Sequence, residues 1–125
     1  MAAEKYNISI WQGDTFTLTL NVKESNSVKD LTGYTARMHI RSAYDSATII
    51  ESLTTSNGEI TITAGSGTVA LELSATRTAA IAINRSSGQK PPRDTFVYDL
   101  ELVDGDQKVS KLIYGDVIVY GEVTR

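Results

Sequence analysis

Hydrophobic residues recur at every second position along most of the chain, the period of strands with one face buried and the other solvated. From Tyr6 to Trp11, Tyr6, Ile8 and Ile10 alternate with Asn7, Ser9 and Trp11, which predicts a first strand. After the turn-forming Gln12-Gly13-Asp14, Phe16, Leu18, Leu20 and Val22 alternate with Thr15, Thr17, Thr19 and Asn21 in the most regular run of the chain. Threonine suits the solvated side, because its branched Cβ packs on a pleated surface while its hydroxyl stays wet. Lys23 to Asp30 is polar and reads as a loop, and Asp30 to Tyr34 as a turn that drops Leu31 toward the core. In Thr35 to Ser42 the apolar set is Ala36, Met38 and Ile40, so Arg37, His39 and Arg41 form a positive face toward solvent or a partner.

The second half continues in the same way. Thr48 to Leu53 predicts a shorter strand, and Asn57-Gly58 after it predicts a tight hairpin turn. Ile60 and Ile62, then Val69, Leu71 and Leu73, give two runs joined by Ala64-Gly65-Ser66-Gly67 and expected to pair antiparallel. Ser74 is a good N-cap, and with Ala79 and Ala80 it predicts one short helix reaching about Ile83. Arg85 to Asp94, with Ser86-Ser87-Gly88 and Pro91-Pro92, reads as a protruding loop. Phe96, Tyr98, Leu100 and Leu102 alternate up to Asp104-Gly105, another hairpin signal. Lys108 to Tyr114 and Asp116 to Val123 are β-like, divided at Gly115, which reads as a turn or as a bulge in one long bent strand. About eight or nine short strands with one helix predict an all-β antiparallel β-sandwich, or a barrel, and the lack of crossover helices excludes a parallel α/β fold.

Composition narrows the class. With 125 residues, 41% hydrophobic and 22% charged, residues 1–125 are expected to form a single domain around one core. The net charge is −3 and the basic residues are scattered, so no footprint for a nucleic-acid partner is visible. No cysteine occurs, which excludes disulfides and thiolate metal sites and fits assembly in a reducing cytosol. The N-terminal residues lack the basic start and apolar run of a secretory signal, and no segment approaches the roughly 20 apolar residues that cross a bilayer, so no membrane insertion is expected.

Candidate chemistry is sparse. His39 is the one histidine, so no histidine metal cluster can form, and it reads as a surface strand residue. Asp104-Gly105-Asp106 lacks the further oxygen ligands of a calcium loop, and Gly65-Ser66-Gly67 lacks the lysine and long helix of a phosphate loop. Asp99 and Glu101 share a strand face, but paired-carboxylate hydrolysis also needs a substrate cleft. The expectation is therefore a non-enzymatic protein with no catalytic, cofactor or metal residues. Trp11 and the six tyrosines could supply a protein-contact or carbohydrate-stacking surface. The protein-contact candidates are Arg37, His39 and Arg41 on their strand, with Arg85, Gln89, Lys90 and Arg93 on the protruding loop.

Three segments, Ile10-Trp11-Gln12-Gly13-Asp14-Thr15-Phe16, Asp30 to Met38, and Tyr98-Asp99-Leu100-Glu101-Leu102-Val103, resemble a group of small tailed-phage and prophage virion proteins. The likeness runs on through Asp104-Gly105, Gly115-Asp116-Val117 and Glu122-Val123-Thr124-Arg125, nearly the whole chain. It is similar to the N-terminal β-sandwich domain of baseplate upper proteins, which join receptor-binding parts to the tail. The resemblance implies a structural protein that docks on the tail, baseplate or neck as an assembly adaptor, partnered by other virion proteins in a homo-oligomer or symmetric multicopy array. It implies no catalytic residues. It also implies synthesis in the host bacterial cytoplasm and release by lysis into a virion, which accommodates the missing signal sequence. The chain stops at Arg125 with no stalk, coiled coil or receptor-binding domain after the sandwich, which raises a capsid decoration protein as the alternative. A carbohydrate-binding adsorption module is the further alternative.

Overall fold

A computed structural model of the protein describes residues 3–86 and 88–124. Ser87 of the expected loop, Arg125 of the resembling C-terminal segment, and Met1 and Ala2 lie outside the described residues. The described residues form eleven strands and one α-helix: β1 (Glu4–Lys5), β2 (Ile8–Trp11), β3 (Phe16–Asn21), β4 (Lys23–Glu24), β5 (Ser27–Val28), β6 (Thr35–Arg41), β7 (Ile49–Thr54), β8 (Ile60–Thr63), β9 (Thr68–Leu73), α1 (Ala75–Ala79), β10 (Arg93–Val103) and β11 (Val109–Tyr120). The eight strands longer than two residues match the expected all-β class.

The strands form two main sheets. The larger runs β1-β11-β10-β6-β7 with β2 also on β11, and the smaller runs β3-β9-β8. Their facing sides share one hydrophobic core, in which Ile10, Met38, Ile40, Leu53, Val69, Leu73, Leu100 and Val117 are almost fully excluded from water. Period-two alternation places these residues, and the burial pattern of β6, with Ala36, Met38 and Ile40 inward, follows the expected one.

Two features of the topology were not visible in the pattern. Both N-terminal strands run parallel to the C-terminal strand, with Ile8 paired to Val117 and Glu4 to Ile113. The turn at Asn57-Gly58 does not close a hairpin. It carries the chain from β7, which pairs with β6, to β8, which pairs with β9 in the other sheet. Asn57 shapes this crossing by accepting hydrogen bonds at Oδ1 from the Thr54 and Glu59 amides.

Several local expectations are refined. The polar segment after Val22 is a small β4-β5 ribbon turned by Ser25 and Asn26, both at positive φ. Gly115 is neither turn nor bulge: β11 passes straight through it, and the register shift falls between Leu100 and Glu101, where Leu112 is the extra residue. The Asp104-Gly105 hairpin forms as expected, Asp104 Oδ1 accepting from the amides of Asp106 and Lys108.

The helix keeps its Ser74 cap, whose Oγ accepts from the Arg77 amide at 3.3 Å, but ends at Ala79 rather than near Ile83. Ile81 turns into the core instead, and its carbonyl accepts a 2.6 Å hydrogen bond from the buried Gln12 side chain. Fully buried Thr78 docks the helix on the β2–β3 turn, donating to the Asp14 carbonyl and accepting from the Gly13 amide.

Candidate functional site

The outer face of the larger sheet gathers most of the sequence-predicted contact residues. Register places Arg37 opposite Glu101, His39 opposite Asp99 and Arg41 opposite Val97, so the three β6 residues do share one face. That face is not positive, because β10 interleaves its carboxylates. Arg37 Nε lies 3.0 Å from Glu101, and Lys111 of β11 lies 2.5 Å from Asp99 and 3.7 Å from Glu101. The Lys111 ammonium is held above the ordinary lysine range by its hydrogen bond to Asp99, which outweighs burial, with the charges of Asp99 and Glu101 adding to it. Arg41 donates to the Ser46 carbonyl at 3.0 Å.

Beside this ladder is an open concavity of about 250 Å³ lined by His39, Arg41, Tyr44, Val97, Tyr98, Asp99 and Glu101. Tyr44, 73% exposed, stands at its rim. Farther along the same face, Tyr120 pairs with Arg93 on one side and Trp11 on the other. The Trp11 and Tyr120 rings stack at 4.7 Å and 19°. This row of Trp11, Tyr120 and Arg93 escaped the sequence reading, since β2 and β11 lie at opposite ends of the chain. The signal available was the aromatic residue at an outward position of each strand.

The loop candidates fare differently. Arg85 is tied down: its guanidinium donates to Gln12 Oε1 at 2.5 Å and to the Glu122 carbonyl at 3.2 Å. Arg93 belongs to β10 rather than the loop, and it bonds the Pro91 carbonyl. Gln89 and Lys90 are exposed on the loop itself. The seven candidates therefore do not form one patch. Among the described residues, no group of three or more acidic or histidine side chains is placed to hold a metal ion. With Arg37 and Lys111 already paired and the Trp11 and Tyr120 rings stacked across neighbouring strands, the arrangement is suited to contact with another surface.

No family model matches the chain, and no curated protein matches its sequence.

Proposed function

We propose that this protein is a non-enzymatic structural component of a tailed-phage virion, docking through the outer face of its larger sheet on the tail, baseplate or neck. The β-sandwich fold agrees with the fold that the sequence resemblance implies. The observation that carries the docking assignment is the composition of that face: Trp11, Tyr44, Tyr120, Arg37, Arg41 and Arg93 converge on it from five separate segments. Tryptophan, tyrosine and arginine are the residues that dominate the energetics of protein interfaces. Pairing of Arg37 and Lys111 with Glu101 and Asp99 offsets part of the positive charge of the face, so fewer of its cations need a compensating charge from a partner that covers it.

The test is incorporation into particles. Virions from a lysogen carrying the gene, fractionated and assayed by mass spectrometry and cryo-electron microscopy, are expected to hold the protein at a copy number set by the cyclic symmetry of the tail. A copy number following the capsid lattice would move it to the head surface. Absence from purified particles would refute the reading. Trp11→Ala combined with Arg41→Glu is expected to fold normally and fail to incorporate.

A further inference from the structure

The most incomplete part of the sandwich is the flank where β3 lies at the edge of the smaller sheet. Its inward residues Phe16, Leu18 and Leu20 pack against the core but are only partly buried, whereas their cross-strand partners Leu73, Leu71 and Val69 are buried. Three shallow concavities of about 290, 290 and 280 Å³ run alongside, between β3 and the β1–β2 segment, lined successively by Leu20, Leu18 and Phe16.

Hydrogen-bond parity shows which backbone groups face this opening. The Val22 amide donates to the Gly67 carbonyl in line with the Phe16–Leu73 register, so Phe16, Leu18 and Leu20 turn their N–H and C=O groups toward β9. The Glu72 amide, one position off in β9, donates the other way to Glu59. Thr17 and Thr19, flanked by Thr15 and Asn21, therefore present their backbone groups to the open side. Such a row is a template for strand addition.

We propose that the occupant is a second copy of this chain: two β3 strands pair antiparallel about a two-fold axis at Leu18, joining the two smaller sheets into one. The strand is self-complementary, as a two-fold interface requires. Around Leu18 the order Thr, Phe, Thr, Leu, Thr, Leu, Asn places polar opposite polar and apolar opposite apolar in either direction. This register sets Thr17 against Thr19 and Phe16 against Leu20 of the other copy, and it brings the partly buried apolar side chains of the two copies together along the trough. Among the described residues β3 is the longest edge strand without a charge. The two-residue β1 is Glu-Lys, β7 carries Glu51, and β2 and β8 have four residues each. Charge and shortness are the usual guards against edge pairing, and β3 has neither. The proposal is independent of the particle reading.

The test uses the purified full chain. Sedimentation is expected to show a concentration-dependent dimer. In the stated register the two Leu18 Cα atoms would be about 4.5 Å apart, within disulfide reach, while the two Thr17 Cα atoms would be roughly 8 Å apart. Because the chain has no cysteine, Leu18→Cys is expected to give a covalent dimer on mild oxidation and Thr17→Cys is not. Thr17→Lys with Thr19→Lys, at exposed positions that leave the monomer intact, opposes lysines across the axis and is expected to weaken dimerisation at least about tenfold. A wild-type chain that stays monomeric to its solubility limit overturns the proposal. So does a dimer that the lysine pair leaves unchanged, an outcome readable even if Leu18→Cys folds poorly.

Discussion

The Tyr98 hydroxyl donates to the Tyr6 carbonyl oxygen at 2.5 Å, linking the centre of β10 to the segment between β1 and β2 across the intervening β11. The register makes this possible, because Tyr98 lies opposite Gly115 of β11, a position with no side chain. Tyr98→Phe keeps the ring and deletes the hydrogen bond. It is expected to lower stability by about 1 kcal/mol, read as a shift in the chemical denaturation midpoint with unchanged slope.

Gly115 itself admits the N-terminal segment. A Cβ there would stand 2.7 Å from both the Tyr6 carbonyl oxygen and Asn7 Oδ1, and the backbone adopts φ of 156°, which L side chains rarely adopt. Asn7 Oδ1 also accepts from the Asp116 amide at 3.0 Å, so a methyl group would displace a strand contact as well as an atom. Gly115→Ala is expected to cost at least about 2 kcal/mol. Gly105→Ala, where a Cβ meets nothing within 4 Å, is expected to stay within about 0.5 kcal/mol of wild type. Equal effects of the two substitutions would show that the close pass carries no energy.

Period-two alternation made the strands and their core faces legible, because burial on one side of a pleat is written into neighbouring residues. Ile8 and Ile10, and Ala36, Met38 and Ile40, are buried as the pattern requires. Partner choice is not local. Nothing near Ile8 announces a parallel pairing with Val117, and nothing near Asn57-Gly58 distinguishes a hairpin from a crossing between sheets. The candidate site divides along the same line. That Arg37, His39 and Arg41 share a face follows from spacing alone, but the pairing of Arg37 depends on Glu101, 64 positions away. Arg85 looked like a loop cation because its partner Gln12 is 73 residues distant.

Opposite the open β3 edge, the flank between β7 and β8 is closed by one cation. Arg77 of α1 bonds the Glu51 carboxylate and lies 2.8 Å from Glu59, whose side chains are only 10% and 15% exposed. Removing the guanidinium leaves two nearly buried carboxylates close together without their counter-ion, a larger loss than that of a surface pair. Because Arg77 itself is 41% exposed, water can replace part of its role. Arg77→Ala is expected to destabilise by about 1–3 kcal/mol. Adding Glu51→Gln to it is expected to recover part of that loss, measured as a positive coupling in a double-mutant cycle. Additive effects would mean that the carboxylates are stabilised by something other than Arg77.

Alkaline pH is expected to loosen the fold through groups that hold their protons more tightly when folded. Burial, with the Tyr6 phenol adding, raises the Tyr98 phenol above its ordinary value of 10.0, and the Asp99 hydrogen bond raises Lys111 above 10.5. A folded-state pKa above the unfolded one gives stability that is complete below the unfolded value and lost as pH rises through the folded one. Once the pH passes the ordinary tyrosine and lysine values, the unfolded chain releases protons that the folded chain retains, so Tm falls. The loss is expected to begin above about pH 10, with neutral and mildly alkaline solutions leaving Tm unchanged by these two groups. Tyr98→Phe is expected to be less stable than wild type at neutral pH yet to decline less steeply above pH 10, because it has no phenol to ionise on unfolding. Ultraviolet titration should accordingly find one of the six tyrosines ionising only as the protein unfolds. Identical alkaline slopes for the two proteins would show that the Tyr98 proton is not linked to folding.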